Sequence, residues 1–281
     1  MAIDALIPLL ILIGLLISLY GSIVGFGGGI FMVPILVSVF GYSLDVAAGT
    51  AMISLVPSSI ISTYLNRKKS QVDFKMGILL EIPTIAGVIL GSLILTYFSA
   101  TGKLLILEIF FALMILFLGS TFFIKKNPDK DRREGFFYKL NKTKPAFVIK
   151  NPVNFAAYRV SLFMALFFGL VSGALAGIFG VGGGFMKTPI MLKVFKIPVK
   201  IAAATALFMI VITSITGSVM HTLQGHILLE KAWPVVLGFT LGAIIGYKVN
   251  AHLNESFLEK LIGISLITAS LMMILKFVVL G

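Results

Sequence analysis

Two glycine clusters are the residues of this chain whose type and spacing point most directly to chemistry. Gly25-Phe26-Gly27-Gly28-Gly29, followed by Pro34, reappears as Gly180-Val181-Gly182-Gly183-Gly184, followed by Pro189, at an offset of 155 residues. Glycine weakens a helix by about 1 kcal/mol relative to alanine, so three in succession predict a break. At membrane depth, irregular backbone persists where it is buried in protein or lines a wet cavity, and the helix restarting beyond it turns unpaired N–H groups and a partial positive charge that way. Such an end suits a small oxyanion. Gly27, Gly28 and Gly29, with Gly182, Gly183 and Gly184, are therefore candidate substrate contacts facing a watery pocket near the membrane centre. The plainer reading is close helix packing. Gly21-x3-Gly25-x3-Gly29, Gly173-x3-Gly177 and Gly242-x3-Gly246 have that spacing, and packing is favoured for Gly87, Gly91, Gly242 and Gly246.

Polar side chains at matching positions extend this site. Thr50 and Thr205 stand 155 residues apart at small, apolar helix starts, where a hydroxyl can donate to an anion or bond its own helix. Ser58, Ser59, Thr213 and Ser214 form a second hydroxyl set, for which bonding to the preceding turn is favoured. Lys187 replaces Met32 of the first copy just beyond the glycine break. It is either the counter-charge of the anion or a side chain that snorkels to the surface with Lys193. Glu81 lies in an apolar segment and is the candidate coupling group, because a desolvated carboxyl can load and release a proton. Glu108, nearer a helix end, reads as interfacial, and His221 and His226 read as residues of a surface loop. No Ser/His/Asp grouping and no metal-ligand spacing stands out, so no catalytic residue, metal or cofactor is expected. Gly184-Phe185-Met186-Lys187-Thr188 lacks the Gly-Lys-[Ser/Thr] of a phosphate loop, which argues against ATP hydrolysis.

The elements that must carry these residues are membrane helices. The 281 residues are 58% hydrophobic and 12% charged, too little polar side chain to clothe a soluble globule. Mean hydropathy is +1.07. Apolar runs reach the roughly 20 residues that span a bilayer as helix, without the alternation of a barrel strand. Segments are predicted near 4–24, 29–40, 44–65, 75–98 and 103–124, then 157–179, 184–196, 199–221, 231–251 and 257–280. The first reads as a retained membrane segment rather than a cleaved signal peptide. Zero cysteines exclude disulfides and thiolate sites.

These segments form a first repeat over 1–124, a basic linker over 125–156 and a second repeat over 157–281. The net charge of +12 is concentrated in and beside the linker, from Lys125 and Lys126 through Arg132 and Arg133 to Lys150 and Arg159. That distribution signals topology rather than nucleic-acid binding, and places the linker in the cytoplasm of a plasma-membrane protein. Lys193, Lys196 and Lys200 follow the second glycine break, whereas the matching loop of the first copy carries Asp45 and no basic residue. Equivalent loops on opposite sides predict inverted-topology repeats, each a glycine-broken helical hairpin plus three crossing helices.

The duplicated Gly-x-Gly-Gly-Gly with its proline five residues on, the Ala-x-x-Thr-Ala helix starts at Thr50 and Thr205, and Gly242-x3-Gly246 resemble the TauE/SafE sulfite exporter family, also described as the toluene-sulfonate uptake permeases. Ala51 and Ala206 depart from it, standing where serine is common. The resemblance implies secondary transport, with export as the expected direction, of small sulfur anions such as sulfite or organosulfonates by alternating access, coupled to a proton or ion gradient. The alternatives are a passive anion channel and a transporter of another small organic anion such as a carboxylate. The implied partners are the anion, a coupling proton or cation and the lipid bilayer.

Overall fold

The computed structural model describes residues 2–123, 143–150, 157–250 and 253–280. Among these residues the first repeat forms α1 (Ala2–Val24), α2 (Gly29–Ser38), α3 (Leu44–Arg67), α4 (Phe74–Ala100) and α5 (Leu104–Ser120). Two strands follow, β1 (Ala146–Lys150) and β2 (Ala157–Ser161). The second repeat forms α6 (Leu162–Phe179), α7 (Gly184–Lys193), α8 (Val199–Leu223), α9 (Leu229–Asn250) and α10 (Glu255–Leu280). Seven of these helices are long and apolar enough to cross a membrane, and the fold is an all-α membrane protein. Much of the expected linker lies outside the described residues.

The helices match the apolar segments to within a few residues, with one correction. Residues 157–161 are not the start of a membrane helix but a strand, paired antiparallel with β1 so that Ala146 faces Ser161 and Lys150 faces Ala157. Tyr158 and Val160 point inward and alternate with exposed Ala157 and Arg159, the period of two that a strand imposes. An apolar run counted by length alone merges this strand with the helix that follows it.

Bare apolar side chains surround the bundle, including Leu12, Leu16, Ile82, Leu90, Leu113 and Phe117. Hydrocarbon is their solvent, so in a bilayer they carry no penalty. Inside, backbones approach closely. A Cβ placed on Gly91 would stand 2.0 Å from the Ala174 carbonyl oxygen, and one on Gly87 2.2 Å from that of Leu170, so α4 lies directly on α6. The same contact recurs between α9 and α1, where a Cβ on Gly242 would meet the Leu15 oxygen at 2.2 Å and one on Gly246 the Leu19 oxygen at 2.3 Å. These glycines pack helices. Small residues allow this approach where lipid and protein are equally apolar and close contact drives association.

An offset of 155 residues turns the α1/α9 pair into the α6/α4 pair. Helices related by the same offset also pack on each other. Gly49 at the start of α3 lies against the His226 carbonyl just past α8, and Gly217 late in α8 lies against Met52, so α3 and α8 run antiparallel. Gly119 of α5 meets Leu266 of α10, while the Ser270 hydroxyl donates to the Ala112 carbonyl at 2.8 Å, again antiparallel.

Each glycine cluster folds the chain back. A Cβ on Gly21 would stand 2.2 Å from the Gly28 nitrogen, and the Tyr20 and Phe31 rings meet edge-on at 5.6 Å, so α2 returns along α1. Gly183 sits against Ser172 and Ala176 of α6 in the same manner. The caps of α2 and α7, Gly28 at φ 105° and Gly183 at φ 71°, occupy the left-handed region that glycine reaches without a side-chain clash.

Candidate functional site between the two hairpins

The two breaks meet. A Cβ on Gly29 would stand 2.8 Å from the Val181 Cα, one on Gly184 would stand 2.9 Å from the Gly25 oxygen, and the Thr188 hydroxyl donates to that oxygen at 3.3 Å. Neither α2 nor α7 has a side-chain cap on its first turn. A watery pocket was the expectation between them, and the structure differs. Leu55 and Ile210, themselves 155 residues apart, both press on both clusters. A Cβ on Gly27 would stand 2.7 Å from Leu55 and 3.3 Å from Ile210, and one on Gly182 would stand 2.8 Å and 3.2 Å from the same pair. Both side chains are fully buried, so two aliphatic groups occupy the space between the clusters.

The polar centre lies one turn further along α7. Lys187 is 1% exposed, and its Nζ donates to Glu81 Oε2 at 2.7 Å and to Thr213 Oγ1 at 2.6 Å. The Thr213 hydroxyl in turn donates to Glu81 Oε1. Three helices thus supply one closed ring: α7 the ammonium, α4 the carboxylate and α8 the hydroxyl. An unpaired charge here would cost several kcal/mol, and the ring satisfies both ions. The geometry decides between the two readings of Lys187, because the side chain runs inward to Glu81 and does not snorkel. Lys193 at the end of α7 bonds the Thr121 hydroxyl and sits 3.7 Å from the Phe122 ring centroid. Gly183 belongs to this region, since a Cβ on it would stand 3.2 Å from the Lys187 Cε.

The remaining hydroxyls divide. Ser58, Ser59 and Ser214 bond carbonyls three residues back in their own helices, which leaves Thr213 as the member of that set turned to another helix. Thr205 accepts the backbone N–H of Asp73 at 2.9 Å, and thereby fixes the start of α4 on α8. Thr50 is fully buried, and among the described residues its hydroxyl has no hydrogen-bond partner.

Three features were not legible in the residue pattern. Asp73 is buried, with one carboxylate oxygen accepting the Met76 N–H at 3.0 Å as the cap of α4 and the other accepting the Tyr158 hydroxyl of β2. His221 and His226 are both buried rather than on a surface loop, with their Nδ1 atoms 3.1 Å apart. The turn at Gly225 is itself exposed, and His226 just beyond it packs its carbonyl against Gly49. Burial pushes the His226 pKa down, against the opposing pull of the Asp45 carboxylate. Glu108, near the start of α5, is buried as well, at 5% exposure.

An apolar cavity of about 990 Å³ opens between α3, α8 and α9, lined by residues that include Val56, Pro57, Val219, Trp233 and Val236. The corresponding place beside Glu81 is filled. There Phe208 covers Gly77, with a Cβ on Gly77 reaching 2.6 Å from its ring, and Phe74 meets Phe208 edge-on at 4.9 Å.

Seven long apolar helices, two broken hairpins held among them and an ion pair buried one turn beyond their meeting point are the architecture of a multi-pass membrane transporter. Residues 10–273 match the family described as Sulfite exporter TauE/SafE, and the chain belongs to that family. It is 29% identical over 263 residues to the probable membrane transporter protein YunE of Bacillus subtilis, covering 90% of each chain. A probable membrane transporter protein of Methanocaldococcus jannaschii is 26% identical over 278 residues, covering 92% of this chain and 93% of its own. The Sulfite exporter TauE/SafE family protein 6 of Arabidopsis thaliana is 32% identical over 108 residues, 37% of this chain and 25% of that one. No solved structure matches significantly.

Proposed function

We propose that the chain is a secondary transporter of small sulfur-containing anions, sulfite among them, working by alternating access between two inverted repeats in the plasma membrane, with its basic linker in the cytoplasm. The observation that carries this reading is Lys187, a buried ammonium beside the left-handed cap of α7, where an anion gains both a fixed cation and the positive end of a helix. The family description supports the substrate class. Antiparallel packing of α3 on α8 and of α5 on α10, each pair related by the repeat offset, supports inversion. The anion site comprises Lys187, Gly182, Gly183 and Gly184, with Gly27, Gly28 and Gly29 opposite and Thr50 and Thr205 at the adjoining helix starts. Leu55 and Ile210 form the barrier that must part.

The test is counterflow in sealed proteoliposomes with sulfite, thiosulfate, taurine and short carboxylates. A carrier exchanges labelled anion faster when unlabelled anion waits on the far side, whereas a passive channel shows no such acceleration. Lys187→Gln should lower exchange by at least tenfold. Wild-type protein that exchanges none of these solutes, or whose flux ignores the trans anion, ends the reading.

A further inference from the structure

We propose that Glu81 and the transported anion are alternative partners of the Lys187 ammonium, so that the anion binds when a proton sits on Glu81 and the two cross the membrane together. This deepens the anion-transport reading and rests on it.

The geometry carries the idea. Lys187 Nζ directs two of its three donors to Glu81 Oε2 at 2.7 Å and Thr213 Oγ1 at 2.6 Å, and it is 1% exposed, so in this state an incoming anion finds the charge already paired with a carboxylate. The groups bonded to Glu81 are the ammonium from α7 and the hydroxyl from α8. A carboxylate and an oxyanion held on one ammonium in a closed, apolar space would repel each other, which excludes simultaneous occupancy. Protonation resolves this. A proton taken from the aqueous side onto the Glu81 carboxylate removes its negative charge, and the Lys187 Nζ exchanges that oxygen for one on the anion. A protonated Glu81 also becomes a donor to Thr213 Oγ1, which reverses the present bond and leaves the Thr213 hydrogen free to point at the anion.

One consequence concerns charge. Empty, the site holds one ammonium and one carboxylate; loaded, it holds one ammonium, one monovalent anion and a neutral acid. With a monovalent anion it is neutral both times, so neither form carries net charge through the low-dielectric barrier of Leu55 and Ile210, whereas a dianion such as sulfate leaves one negative charge on the loaded form and crosses more slowly than it binds. A second consequence concerns direction. Because proton and anion move the same way, a gradient that is acidic outside drives uptake, and export proceeds when the anion is concentrated inside.

The test measures binding of sulfite, sulfate and thiosulfate to the purified full-length chain from mildly acid to mildly alkaline pH, together with proton movement in proteoliposomes. Sulfate and thiosulfate keep a constant charge over that range, so a slope in their affinity belongs to the protein. The expected result is an affinity that falls by about tenfold per pH unit wherever Glu81 is ionised, with one proton entering per anion. Glu81→Gln should abolish the slope, hold the affinity at its acid limit and exchange anion for anion without proton movement, since only its loaded form is neutral. A flat wild-type profile, a slope that survives in Glu81→Gln, or anion flux without protons in the wild type overturns the competition while leaving anion transport standing. If none of the three anions binds or crosses in the wild type, the transport reading falls and takes this inference with it. Should Glu81→Gln fail to fold, the wild-type slope and proton count still decide.

Discussion

Around α7, Lys187 is enclosed by Glu81 and Thr213, while around α2 the positions related by 155 residues hold Met32, Val236 and Ser58. The backbones correspond, down to a left-handed glycine cap on each short helix. The side chains do not. Met32 is fully buried in apolar surroundings, and Ser58 bonds the Leu55 carbonyl in its own helix. The space also differs, open beside Val236 and filled by Phe208 beside Glu81. Duplication thus supplied two equivalent scaffolds, and divergence put the charges on one of them. The ion pair is not needed to form the hairpin, because the first copy folds the same way without it.

The largest effect that would break this comparison comes from copying the first copy's residue into the second. Lys187→Met leaves the Glu81 carboxylate buried without its cation, with an expected loss of about 3–5 kcal/mol in stability. Glu81→Val/Lys187→Met, which reproduces the surroundings of α2 at both positions, should recover most of that stability, since replacing a buried pair by apolar groups is often neutral. It should still carry no anion. Apparent melting temperatures in detergent and flux in vesicles check both halves, and a double variant that transports would remove the pair from function.

A smaller contrast lies in the paired hydroxyls. Thr213→Val deprives Lys187 of an acceptor and Glu81 of a donor, at an expected cost of about 1–3 kcal/mol. Ser58→Ala removes a bond within one helix and should stay within about 0.5 kcal/mol of the wild type. Equal losses in denaturation would mean that the two positions are not different after all.

The smallest effect concerns pH. Burial holds the His226 pKa below its ordinary value near 6.5, beside His221 and with Asp45 opposing the shift. The unfolded chain therefore binds this proton more readily than the folded one. Stability is full above the ordinary pKa and declines as pH falls from there toward the lowered folded value. His226→Gln should flatten that acid-side decline in melting temperature, and an unchanged decline would place its origin elsewhere.

The helices were largely legible because apolar runs of the right length have few alternatives in a chain this poor in charge. The repeat was legible from glycines held in register over 155 residues. Residues 157–161 misled because a short inward-facing strand abuts a helix of the same composition. Glu81 and Lys187 each stood out as charges in apolar sequence, but their pairing did not, since 106 residues separate them and the repeat offset relates neither to the other. The aliphatic pair between the clusters was invisible for the opposite reason. Leu55 and Ile210 are ordinary helix residues, and only their shared contact with both glycine clusters distinguishes them.

The bond from Tyr158 to Asp73 bears on how the halves move. Asp73 begins α4, and Thr205 near the start of α8 holds its backbone N–H. The connecting hairpin is therefore moored to both repeats at one point rather than slung loosely between them. Under the proposed alternating access, rocking of α4 against α8 would drag the β-ribbon along or part its phenol from the carboxylate.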